Sequence, residues 1–215
     1  MRHILVVLAL LGVGPVGCVA DAPPLENVRY QEFVPPAGQG PVVFVLSGRA
    51  GPMVYSFIPR ELAGLGYYAV LVDGQNFPVS DAKAGENLRQ LLLIAEHSPH
   101  ASAGKAAVVG ASAGGGAALA FATSMSDLVS VVVDYYPATR SIPDRADVVR
   151  RWTVPTLVFA GDADNNGCCM IGTITAMVAS AKDRRAPVDL VVYSGADHDF
   201  IWGAHYEKDA AEDAW

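Results

Sequence analysis

Apolar positions along the chain fall into short runs of two kinds. Val42 to Leu46 is an unbroken apolar run closed by Ser47-Gly48, which predicts a strand buried on both faces. Tyr67 to Val72, Lys105 to Val109, Leu128 to Val133, Thr156 to Phe159 and Leu190 to Tyr193 repeat that pattern. Val28 to Val34 alternates less regularly and predicts an edge strand. Between these runs lie segments with helical spacing. Ser56 to Leu65 is one, ended by Gly66. Ala84 to His97 sets Leu88, Leu91, Leu92 and Ala95 on one face. Ala113 to Thr123 is apolar nearly all round, so that helix should be buried. Ile171 to Lys182 and His205 to Trp215 predict two more helices. Strands alternating with helices imply an α/β fold, with a mostly parallel sheet, helices on both faces and right-handed crossovers.

The first twenty residues break this pattern. Arg2 and His3 precede an apolar run from Ile4 to Val16, and small residues and Asp21-Ala22-Pro23-Pro24 follow. That order is the one of a secretory signal, so residues 1–20 are expected to be a signal peptide and 26–215 a single domain. Gly17-Cys18 resembles a bacterial lipoprotein cleavage site, where Cys18 would carry lipid and anchor the chain to a membrane. Pro15 departs from that pattern, and cleavage after Ala20 or Ala22 is the alternative. The expected location is therefore the periplasm or envelope of a bacterium, or the medium.

Composition narrows the partners. The chain has 215 residues and a net charge of −7, with no block of Lys and Arg forming a basic face, which argues against nucleic acid. Cys168 and Cys169 are adjacent, a poor spacing for a metal site, and neither metal nor cofactor is expected. Two buried free thiols are the favoured reading of this pair, with a vicinal disulfide in an oxidising compartment as the alternative. Oligomeric state leaves no mark on the sequence.

Candidate chemistry centres on Val108-Val109-Gly110-Ala111-Ser112-Ala113-Gly114. A serine hydroxyl is a poor nucleophile without a base, a group to orient that base, and donors for the developing oxyanion. Gly-x-Ser-x-Gly at a strand-to-helix turn projects the hydroxyl above the sheet, and the flanking small residues let strand and helix approach. Gly114-Gly115-Gly116 would cost a helix about 1 kcal/mol per glycine relative to alanine, which points to tight backbone packing.

In this chain order the base should follow the last strand and the acid the strand before it. His198 lies directly after Leu190 to Tyr193, while His97 and His100 sit upstream at a helix end. Asp162 and Asp164 both follow Thr156 to Phe159, and Asp162 also suits a turn residue that binds backbone amides. Ala113 should give one oxyanion amide. The loop Ser47-Gly48-Arg49-Ala50-Gly51 should give the second, from Arg49, with Ala50 as the alternative and Gly48 freeing the backbone to turn. Tyr55, Phe57, Phe77 and Tyr136 are candidates to line a pocket.

With these residues placed, the sequence resembles the dienelactone hydrolase family of α/β-hydrolases from about Val42 to Trp215. The anchors are Gly110-Ala111-Ser112-Ala113-Gly114-Gly115, Tyr135-Tyr136-Pro137, the stretch from Pro155 to Asp164, and the stretch from Tyr193 to Phe200. The resemblance implies the α/β-hydrolase fold without a large cap domain, and hydrolysis of a small ester or lactone. It also favours Asp164 over Asp162 as the acid. Two departures stand out: the namesake enzymes use a cysteine nucleophile where this chain has Ser112, and their carboxylate-binding arginines have no clear counterpart. A general serine esterase is therefore expected. The rival readings are a non-catalytic envelope protein that keeps the fold, and a peptidase or thioesterase on the same three residues.

Overall fold

The computed structural model describes residues 28–81, 83–202 and 208–213. The signal-like segment 1–20 with Cys18, and also His3 and His205, lie outside the described residues. Seven strands run in chain order as β1 (Tyr30–Phe33), β2 (Val42–Ser47), β3 (Tyr68–Asp73), β4 (Ala106–Ala111), β5 (Val129–Tyr135), β6 (Thr156–Gly161) and β7 (Val188–Tyr193). They form one sheet in the order β1-β3-β2-β4-β5-β6-β7. Only β1 is antiparallel to its neighbour, with Tyr30 opposite Val72; the other pairs are parallel. This is the mostly parallel sheet expected from the hydrophobic pattern. It carries the α/β-hydrolase fold with no large cap among the described residues.

The helices are α1 (Pro52–Tyr55), α2 (Phe57–Gly64), α3 (Ala84–Glu96), α4 (Ala113–Phe121), α5 (Arg145–Arg150), α6 (Ile171–Asp183) and α7 (Lys208–Asp213). The period-2 alternation of β2 sorts the two faces of the sheet. Phe44 and Leu46 join Leu88, Leu91 and Leu92 of α3 and Ala117 and Ala118 of α4 in one cluster. Val45 instead joins Tyr55, Ile58, Tyr135 and Phe200 in another. A third cluster packs Val148 and Val149 of α5 and Ile174, Met177 and Val178 of α6 against Val158.

Two local differences from the sequence reading have simple causes. The edge strand is only four residues long, because β1 is exposed and its ladder ends at Phe33, short of Pro35. Helix α5 went unread because it spans only six residues and buries just Val148 and Val149. Its signal was a cap: Asp144, following Pro143, accepts a hydrogen bond from the Asp147 amide at 2.9 Å.

Candidate active site

Strand β4 and helix α4 meet at Ser112, and close packing builds the turn. A Cβ on Gly114 would lie 2.1 Å from the Leu46 carbonyl oxygen of β2. One on Gly110 would lie 2.7 Å from Gly115 Cα, so only glycine lets helix and sheet come this close. Every residue of α4 from Gly114 to Ala120 is buried. Ser112 itself sits at φ 51° and ψ −112°, a conformation that costs an L residue about 1–3 kcal/mol. Its backbone is held on both sides. The Ser112 amide donates to the Tyr135 carbonyl at 3.0 Å, and its carbonyl accepts from Gly116 at 2.9 Å and Ala138 at 2.8 Å.

Three side chains converge on this turn from three different loops. His198, in the loop after β7, places Nε2 3.1 Å from Ser112 Oγ and Nδ1 2.7 Å from Asp164 Oδ2. Asp164, in the loop after β6, has a side chain only 1% exposed, against 12% for His198. Its other oxygen accepts from the Asn166 amide at 2.8 Å. Asp162 faces elsewhere and accepts from the Gly195 amide at 2.7 Å, tying the β6 loop to the β7 loop. The Tyr136 ring lies 4.8 Å from the imidazole, centre to centre, and packs edge-on to Phe200. His97 and His100 bond backbone carbonyls of Leu93 and Gly38, remote from Ser112 in the fold.

Ser112 and His198 open into a cleft of about 130 Å³, with Asp164 buried behind the imidazole. Its walls include Arg49, Ala50, Tyr55, Ala113, Asn166 and Cys168. A second hollow, lined by Phe77 and Gln75, shares Arg49, Ala113 and Ala138 with it. Ala113 opens α4, where a helix leaves its first amides without an internal acceptor. Arg49 and Ala50 both reach the cleft, so the choice between their amides stays open. Tyr55 lines the cleft and its hydroxyl donates to Asp199 at 3.4 Å; burial pushes that hydroxyl well above the usual phenol range. Asp199 Oδ1 stands 3.8 Å from His198 Nε2.

Two expectations need correction. Cys168 and Cys169 are joined by a disulfide, and only Cys169 is fully buried, so the pair is not two buried thiols. Gly48 is required for space and not for a left-handed backbone. A Cβ there would lie 2.3 Å from the Tyr55 hydroxyl and 3.1 Å from Ser112 Cβ. Asn166, Asp199 and Cys168 were missed as cleft residues. Asn166 carries a readable signal, an Asx turn two residues after Asp164.

The sequence profile of the Dienelactone hydrolase family matches residues 73–215, two thirds of the chain. The chain belongs to the dienelactone hydrolase family. Membership makes it a carboxylic ester hydrolase. Solved structures agree at the level of the fold. A Klebsiella pneumoniae protein named as a dienelactone hydrolase superposes with a TM-score of 0.69 at 19% identity, covering 87% of this chain and 95% of its own. Est1E from Butyrivibrio proteoclasticus gives 0.69 at 15% identity, covering 87% and 91%. Esterase 2 of Thermogutta terrifontis, phosphoramylated by tabun, gives 0.67 at 19% identity, covering 87% and 85%. No curated protein matches the chain. Within the family, this member carries Ser112 at the strand-to-helix turn.

Proposed function

We propose that the chain is a serine hydrolase of small carboxylic esters or lactones, with Ser112, His198 and Asp164 as its catalytic triad. The observation that carries this reading is His198. One ring nitrogen reaches the serine hydroxyl at 3.1 Å and the other a buried carboxylate at 2.7 Å. Asp164 accepts from Nδ1, which leaves Nε2 with its lone pair toward Ser112. Nε2 takes the hydroxyl proton as Oγ attacks the ester carbonyl. The negative charge on the former carbonyl oxygen meets the amide of Ala113 and a second amide from the loop of Arg49 and Ala50. The imidazolium, balanced by Asp164, gives its proton to the leaving alkoxide, and an acyl-serine remains. Water, deprotonated by the same Nε2, then releases the acid and restores Ser112.

The test compares wild type with Ser112→Ala on a short p-nitrophenyl ester. Equal turnover by both would sink the reading. The Thermogutta esterase is phosphorylated by paraoxon, so an organophosphorus probe that labels Ser112 here, and fails on Ser112→Ala, supports the same assignment. A panel of ester, thioester and peptide substrates separates esterase from thioesterase or peptidase action. We further propose that the chain is exported. The signal pattern of residues 1–20 supports this, and the bonded Cys168–Cys169 pair suits an oxidising compartment. Mass spectrometry of the mature N-terminus decides between lipidated Cys18 and cleavage after Ala20 or Ala22.

A further inference from the structure

The Cys168–Cys169 ring stands where three parts of the site meet. It lies in the loop between β6 and α6, four residues after Asp164. On one side, Asn166 is bonded at both ends of its backbone. Its amide donates to Asp164 Oδ1 at 2.8 Å, and its carbonyl accepts from the Cys169 amide at 2.9 Å. On the second side, the Cys168 carbonyl accepts from the Arg140 amide at 3.0 Å, and the Arg140 guanidinium reaches the Gly167 carbonyl at 3.4 Å. That ties the loop to the segment after β5. On the third side, buried Cys169 precedes Met170, the residue that opens α6. Helix α6 in turn buries Ile174, Met177 and Val178 against the sheet. Cys168 is half-buried, lines the cleft beside Ser112 and His198, and sets its Sγ 3.3 Å from Asn166 Oδ1.

A disulfide between neighbouring cysteines closes a small ring through their shared peptide and removes most of that peptide's freedom. Nothing else short and covalent holds this seven-residue connection from Asp164 to Met170. We propose that the Cys168–Cys169 disulfide is a positioning element for the acid of the site. The closed ring fixes Asn166, and the Asn166 amide fixes the carboxylate that orients His198. A bonded sulfur carries no hydrogen, so Cys168 Sγ now makes only a close contact with Asn166 Oδ1. Opening the ring creates a thiol that donates to that oxygen and frees the peptide to rotate. Asn166 then no longer holds one position, and Asp164 Oδ1 loses its fixed donor.

This inference rests on the triad reading above, and one experiment separates them. Full-length protein is purified without reductant and assayed on a short p-nitrophenyl ester. It is then treated with dithiothreitol, which passes two electrons and two protons to the ring. That leaves Cys168 and Cys169 as thiols and the reagent as its cyclic disulfide. Alkylation followed by peptide mapping reports the state of both sulfurs. Reduction should lower kcat by roughly 10- to 100-fold, the scale expected for slight misplacement of a reacting group. KM should stay within about twofold, because the reacting carbonyl sits against Ala113 and the loop of Arg49 and Ala50, which the ring does not hold. Reoxidation should restore the rate. Cys168→Ser with Cys169→Ser should show the low kcat at once and ignore the reductant, whereas Cys18→Ser should behave as wild type.

Oxidised wild type that cannot hydrolyse the ester overturns the triad reading and this inference with it. Active protein whose kcat is unchanged by complete reduction overturns the inference alone, even if its melting temperature falls. A rise in KM with kcat unchanged does the same, since it makes Cys168 a wall of the cleft and nothing more. So does alkylation of both cysteines before any reductant is added.

Discussion

The two halves of the candidate site are held by different physics. The Ser112 side is a backbone construction. Glycines at 110, 114 and 115 let α4 sit against the sheet, and main-chain hydrogen bonds fix the serine from both directions. The side that carries His198 and Asp164 is assembled from loops. Its geometry depends on side-chain links: Asp164 to the Asn166 amide, Asp162 to the Gly195 amide, and the ring of Tyr136 behind the imidazole. Packing of the first kind fails all at once when a methyl group is added. Links of the second kind can be removed one by one, so function and stability can be separated there.

Mutations can break that contrast in order of expected effect. Ser112→Ala should reduce kcat on a p-nitrophenyl ester by roughly 10⁶-fold, the scale seen when a serine hydrolase loses its nucleophile, with melting almost unchanged. Asp164→Asn should cost about 10⁴-fold in kcat, since an amide no longer holds the imidazole in the productive tautomer. Asp162→Ala should leave kcat within about tenfold. If instead it matches Asp164→Asn in steady-state assays, the assignment of the acid is wrong.

Gly114→Ala tests the other half. Its new methyl must displace the Leu46 carbonyl, so denaturant unfolding should show a loss of about 3 kcal/mol, near the upper end for overpacking. A variant as stable as wild type would mean that strand and helix can part cheaply. Asp162→Ala should cost only about 1 kcal/mol in the same measurement, because its bond to Gly195 is partly solvated.

A pH-dependent effect concerns Asp134, beneath the turn. It is fully buried beside Gly115, and that burial outweighs the hydrogen bond from the Tyr135 amide, which favours the charged form. Burial holds its pKa well above the usual carboxylate range. The unfolded chain releases this proton near pH 3.9, while the folded chain keeps it to higher pH. Between those two values the folded state binds more protons, so stability falls as pH rises, and the penalty is constant above the folded-state value. Asp134→Asn lacks this penalty. Thermal melts should therefore show the variant gaining on wild type between pH 4 and pH 8. An equal difference at both ends would show that the Asp134 carboxyl carries no such penalty.

The contrast between the halves also explains what the sequence could tell. The strand runs and the all-apolar α4 were readable because burial on both faces leaves a one-dimensional pattern. The triple glycine announced close packing, though not its partner; that Leu46 is the neighbour depends on the crossover that puts β2 beside β4. Gly48 was noticed for the wrong reason, since the Tyr55 hydroxyl that needs its space comes from a helix seven residues on. The loop side was readable only as chain order. Which of Asp162 and Asp164 turns toward His198 is set by where Gly195 and Asn166 stand, and no periodicity records that. The bonding of Cys168 to Cys169 depends on the backbone path of a loop, which residue types alone do not state.

The grip on Ser112 has a consequence for how ligands are chosen. With its amide and carbonyl both engaged, the Ser112 backbone cannot shift, and under the proposed triad only rotation about the Cα–Cβ bond is left to bring Oγ toward a carbonyl that arrives a little off line. Every compound must bring its own reactive carbon to the same point. Under the proposed triad, flexible, slender esters should make that adjustment in the cleft lined by Arg49 and His198 more readily than stiff, bulky ones. Discrimination then takes place during approach, by which shapes complete the journey, and a preference among alcohols or acids would be changed by recutting the surrounding walls while the serine stays where it is.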